Sequence, residues 1–172
     1  MTAKPVFRRG GPLLGLAALL LAAAPAAHAA CPMELSVYGD ATDAAGLDFR
    51  PTGESMVVTN SFRMNLRIGV QLDGIVMWSE ETPRPYASLM YQCPEGDVTG
   101  DEIAECTLWE GPVYAAGEDG KVGTIPAERT PAPQTLIFPD LGPTLRQASI
   151  FGEDADDARL PGDIFTLKGC QE

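Results

Sequence analysis

Two clusters of carboxylates are the side chains of this sequence best placed to do chemistry. Asp97, Asp101 and Glu102 fall in the acidic stretch 95–105, and Asp154, Asp156 and Asp157 in a second stretch that begins at Glu153. Closely spaced hard oxygen ligands suit calcium, and Asp154-x-Asp156 has the spacing that opens an oxygen-ligand loop. Neither cluster completes that loop. No Gly holds the sixth position after Asp154 and no Glu the twelfth, and the first cluster offers only Gly100. The reading adopted is two solvated acidic loops, with a weak extracellular calcium site as the alternative. A carboxylate pair could also hydrolyse glycosidic bonds. With 24 acids in the chain, however, close pairs arise by chance, and none here has a recognisable context.

The other common catalysts are missing. The one histidine, His28, lies in an N-terminal leader, so the mature chain has no imidazole for a Ser-His-Asp or Cys-His arrangement or a histidine zinc site. Outside the leader lysine is reduced to Lys121 and Lys168, and neither a G-x-x-x-x-G-K-[ST] nor a G-x-G-x-x-G phosphate loop occurs. No cofactor is expected. Trp78 and Trp109 could stack on a sugar or peptide, but each also pairs plausibly across a strand, which is the reading preferred. Arg63 and Arg67 share a polar strand face, where they balance nearby acids or contact an anion.

The leader is read from its pattern. Lys4, Arg8 and Arg9 precede an apolar Leu/Ala run over 13–24, and Ala27-His28-Ala29 forms a small-x-small cleavage site. Residues 1–29 are therefore expected to be a signal peptide and 30–172 one domain, periplasmic or secreted. A lipoprotein acylated at Cys31 is the rival, but His28 stands where such a signal wants a Leu-like residue. No segment is long and apolar enough to be a membrane span. Removing the leader leaves nine basic residues against 24 acids, a net charge of about −15 on about 143 residues. That field repels nucleic acid and anionic membrane and attracts a cationic protein partner.

Four cysteines in an exported chain imply two disulfides. If Cys93 faces Cys106 across a hairpin centred on Thr99-Gly100, Tyr91 meets Leu108 and Met90 meets Trp109. Cys31 is then left for Cys170, clasping the two ends of the mature chain.

The elements that must hold these groups are strands. From Ser61 to Leu72 every even position is apolar and every odd one polar or Gly, a period of two with one face buried. Asp73-Gly74 reads as a type I′ turn, setting Leu72 opposite Ile75, Val70 opposite Met77, Trp78 opposite Gly69 and Arg67 opposite Glu80. A second Asp-Gly turn at 119–120 sets Glu118 opposite Lys121. Further strands are expected at 33–38, 47–50, 56–59, 86–93, 107–109, 113–115, 135–138 and 164–167, with breaks at Pro83 and Pro85 and a Pro-rich extended connector over 126–133. Pro143 and the spacing of Leu141, Leu145 and Ala148 favour a short helix over a strand in 141–151, with Gly152 just past its end. The whole reads as an all-β, antiparallel sandwich or barrel-like domain of about nine or ten strands. Its expected role is non-catalytic binding.

Overall fold

The computed structural model describes residues 1–2, 30–53, 55, 57–152 and 159–171. Residues 3–29 of the expected signal peptide, and Asp154, Asp156 and Asp157, lie outside these. Ten strands form one sheet: β1 (Ser36–Asp40), β2 (Ala45–Arg50), β3 (Val58–Leu66), β4 (Gln71–Ser79), β5 (Arg84–Met90), β6 (Thr107–Gly111), β7 (Tyr114–Ala116), β8 (Val122–Thr124), β9 (Thr135–Ile137) and β10 (Ile164–Cys170). Their lateral order is β6-β5-β4-β3-β2-β1-β10-β9-β7-β8. Every pairing is antiparallel.

Chain order and lateral order together explain the shape. β6 is an edge strand and β7 lies near the opposite edge, yet only Pro112 and Val113 separate them. Two residues cannot cross a flat sheet, since they reach at most about 10 Å. The sheet therefore curls into a half-barrel, with the run from Thr107 to Ala116 lending its first half to one end and its second half to the other. Val113, at the crossing, is fully buried and its carbonyl accepts from Ile125 N–H at 3.1 Å.

The concave face carries the core. Leu47, Phe49, Phe62, Met64, Leu72, Val76, Ala87 and Leu89 alternate inward along β2 to β5, as a period of two requires. Five ring contacts run through it, from Tyr38 to Phe49 at 5.7 Å and Phe49 to Phe62 at 5.2 Å, and on to Phe138, which also meets Trp109 and Phe165. A helix, α2 (Leu141–Gln147), adds Leu141 and Leu145 to the same core. It was the preferred reading of that segment, and Gly152 follows it at φ +71 after one 3-10 turn (Ser149–Phe151).

The β3–β4 hairpin exists, but its turn is not Asp73-Gly74. The reversal falls at residues 67–70, where Leu66 N–H reaches Val70 O at 2.8 Å, Gly69 N–H reaches Leu66 O at 2.9 Å, and Gly69 takes φ +87. Asp73 and Gly74 sit inside β4 opposite Arg63 and Phe62. Packing explains the choice: a Cβ on Gly74 would lie 2.2 Å from Phe62 Cζ, so the ring occupies the space above the glycine. The glycine serves a neighbouring aromatic, not a turn. All four expected cross-strand pairs change accordingly. Leu72 faces Met64, Met77 faces Val58 and Tyr86, Trp78 faces Pro85, and Arg67 donates to the carbonyls of Asp43 and Thr42.

Several boundaries also differ. Met33–Leu35 is one turn of 3-10 helix before β1, closed by Ser36 Oγ donating to Met33 O at 2.7 Å. β5 begins at Arg84, with Pro85 near its start, where a missing N–H is tolerated, and it ends before Gln92, which takes φ +49. At the second Asp-Gly turn the expected hairpin forms, but Gly117 N–H pairs with Lys121 O. The loop is thus three residues ending in Gly120 at φ +76, and Glu118 lies within it. Lys121 meets Asp119 instead, at 2.6 Å. The connector over 126–133 runs beside the first residues of the domain, with Met33 N–H to Thr130 O at 2.9 Å and Ala132 N–H to Cys31 O at 2.7 Å.

Both disulfides form as expected, Cys31–Cys170 and Cys93–Cys106, and among the described residues no cysteine is free. The second closes the β5–β6 connection, and these two strands pair antiparallel as expected, but the connection is not a turn centred on Thr99-Gly100. Residues Gly100–Cys106 make a helix, α1, with Thr99 and Glu102 forming a capping box at its start. Leu89 then faces Trp109 and Met90 faces Thr107, with a bulge between, in place of the expected Met90–Trp109 and Tyr91–Leu108 pairs. No described helix is long and apolar enough to cross a membrane.

Candidate functional site

The curl leaves two edge strands, β6 and β8, each paired on one side only, and a cleft follows β6. β6 pairs with β5 on one side only. All five of its residues line an open cleft of about 930 Å³ that also takes in Arg84, Tyr86, Tyr114, Asp140 and the α1 residues Gly100, Ile103 and Ala104. The walls are fixed from several directions. Cys93–Cys106 ties α1 to the chain leaving β5. Trp109 points inward at 4% exposure and its Nε1–H donates to Pro139 O at 3.0 Å, fastening the strand to the opposite wall.

Polar groups in the cleft differ in how well they are satisfied. Glu110 accepts from Ser88 Oγ at 2.9 Å and remains exposed. Asp140 precedes α2 with φ +61 and makes no capping bond with its own side chain. Asp163 does that work, accepting from Asp140 N–H at 3.0 Å and Gly142 N–H at 2.8 Å, so the Asp140 carboxylate is left exposed at the cleft. Arg84 donates from Nη1 to Tyr114 Oη at 3.3 Å, while its buried Nε–H has no acceptor among the described residues. Arg84 is in no ion pair among the described residues.

The residues singled out from sequence are scattered by comparison. Glu102 is occupied as a cap: Thr99 N–H and Oγ both lie 2.9 Å from its Oε2, and together they hold its carboxyl below the usual range. Asp97 and Asp101 are exposed beside it. Among the described residues no three His, Cys, Asp or Glu side chains come together to hold a metal ion. Trp78 is exposed and Trp109 is buried, so the two share no stacking surface. Arg63 pairs with Asp73 at 3.1 Å beside a shallow polar depression of about 370 Å³, while Arg67 braces a turn.

Elsewhere, acidity is set by local structure. Burial opposes ionisation of Asp40, but the Thr42 hydroxyl and the N–H groups of Ala45, Thr42 and Ala44 outweigh it and hold the carboxyl low. The Lys121 ammonium, then its N–H, holds Asp119 low. Burial drives the Tyr38 phenol well above its usual range, with Ser36 opposing.

Arg84, Tyr86, Glu110, Tyr114 and Asp140 were not singled out from sequence as a site. Only the Pro83-Arg84-Pro85 bracket marked Arg84 as unusual. Their proximity comes from the curl and has no linear signature.

Fold and cleft define a class: an all-β, disulfide-bonded half-barrel with an open groove along one edge strand. Two disulfides fit a protein that folds in an oxidising compartment. No known protein family, curated protein or solved structure matches the chain.

Proposed function

We propose that this chain is an exported, non-catalytic binding domain, periplasmic or secreted, that takes a basic segment of a partner protein into the cleft along β6. The observation that carries the reading is a pair of exposed acids, Glu110 and Asp140, lining an open groove. On a chain with 24 acids and 12 basic residues, such a groove concentrates cations and repels polyanions. Among the described residues, the carboxyls whose pKa is clearly shifted, Asp40, Glu102 and Asp119, are all shifted downward by hydrogen bonds from neighbours. That pattern suits fixed structural anions; an acid catalyst needs the opposite shift.

The test uses the mature domain and a defined probe, a capped peptide of roughly eight residues alternating Lys and Val. Titration calorimetry at low and physiological salt should show affinity falling as salt rises. The double variant Glu110→Gln/Asp140→Asn should bind about tenfold more weakly, an electrostatic loss of roughly 1.4 kcal/mol. Affinity that ignores both salt and the variant would remove the proposal.

A further inference from the structure

We infer that the occupant of this cleft is held as an added β-strand on the free edge of β6. The inference rests on the basic-segment reading above and specifies how that segment binds. An edge strand presents a row of backbone donors and acceptors with no partner, which folded proteins usually blunt. The two edges of this sheet are treated differently. β8 is three residues long, exposed throughout, and entered from Lys121, a charge that discourages pairing. β6 bears no lysine, and every one of its residues lines a groove. A strand beside it would sit about 4.8 Å away, the spacing that main-chain hydrogen bonding sets. Wall contacts from Tyr86, Tyr114 and α1 would then enclose it.

The chemistry of the groove also fixes the sequence that fits. Side chains of an added strand alternate between two faces. Those on the face of Glu110 meet its carboxylate, which calls for a Lys or Arg at the position beside it. Arg84 stands beyond the Gly111 end: it precedes by three residues the Ala87 that pairs with Gly111, and it touches Tyr114. With its guanidinium in no ion pair and its Nε–H without acceptor among the described residues, that end takes an acidic or uncharged residue. The bulge between Leu89 and Met90 bends the start of β6, leaving Trp109 to Gly111 as the stretch straight enough to pair. The occupant is thus an extended segment of another protein, with a basic side chain beside Glu110.

The experiment compares three capped Lys-Val peptides of equal charge: the parent, one N-methylated at alternate amides, and one N-methylated at the other alternate set. N-methylation removes donors from one edge of a strand and leaves charge and side chains in place. Strand addition predicts that one methylated peptide binds at least about tenfold more weakly and the other within about twofold of the parent. Hydrogen exchange should slow in β6 when the parent binds. If the parent binds and both methylated forms bind as it does, or both lose affinity equally, strand addition is overturned and the basic-segment reading stands. If the parent shows no salt-dependent binding, the basic-segment reading fails and takes this inference with it.

Discussion

Replacing Gly74 with alanine tests the central feature of the sheet. A Cβ there would lie 2.2, 2.3 and 2.6 Å from Phe62 Cζ, Cε2 and Cε1. The ring has nowhere to go, being 2% exposed and in contact with Phe49 and Phe138. Overpacking of this kind costs roughly 1–3 kcal/mol, and three sub-van der Waals contacts with a trapped ring place Gly74→Ala near the top of that range. For a domain of this size that lowers Tm by roughly 6–12 °C. Phe62→Leu removes the offending ring atoms, so in that background the same substitution should cost at most about 1 kcal/mol, a coupling of about 2 kcal/mol. Gly69→Ala is the control. Its φ of +87 strains any side chain and nothing lies within 4 Å, so it should cost about 1 kcal/mol with or without Phe62. Urea unfolding followed by tryptophan fluorescence measures all three. A Gly74→Ala cost that survives Phe62→Leu unchanged would refute the packing argument and return Asp73-Gly74 to the role of a turn.

Other perturbations follow from the same contacts. Opening Cys31–Cys170 by a double Cys→Ser change should cost about 5 kcal/mol and opening Cys93–Cys106 about 3 kcal/mol, since the closed loops differ tenfold in span (139 against 13 residues); urea midpoints would show the order. Asp40 has a lowered pKa when folded, so its stabilisation is present above the usual carboxylate range and is lost as pH falls through the folded value. Asp40→Asn should therefore cost about 2 kcal/mol near neutral pH, with the difference from the parent shrinking in acid, as thermal melts across pH would record. Arg84→Met should change stability by no more than about 0.5 kcal/mol, because it removes a buried donor without acceptor among the described residues and one long hydrogen bond. A large loss in its melting temperature would make Arg84 a structural residue and not a cleft residue.

The alternation from Ser61 to Leu72 was legible because burial on one face of a strand leaves a local trace. The same is true of the helix at Leu141–Gln147, where Pro143 and the leucine spacing act over a few residues. The two Asp-Gly pairs show the limit. At 119–120 no larger group competes for the glycine, and the turn forms there. At 73–74 the identical dipeptide is drawn into a strand, because Phe62 needs the space a missing Cβ leaves. Thr99 and Glu102 carry a capping box in plain sight, yet a symmetric cysteine spacing suggested a hairpin. The local hydrogen-bonding signal made the connection a helix, while the strands on either side of it still pair.

Residue type and short-range spacing by themselves determined the strand-rich chemistry of this protein, its cystine pairs and its excess of acidic over basic side chains. Tertiary structure alone decided how the sheet closes, which strands form its edges, and that Arg84, Glu110, Tyr114 and Asp140 share one groove. The reason is physical: periodicity records which face of a strand is buried, whereas curvature and register depend on how distant side chains fill a common interior.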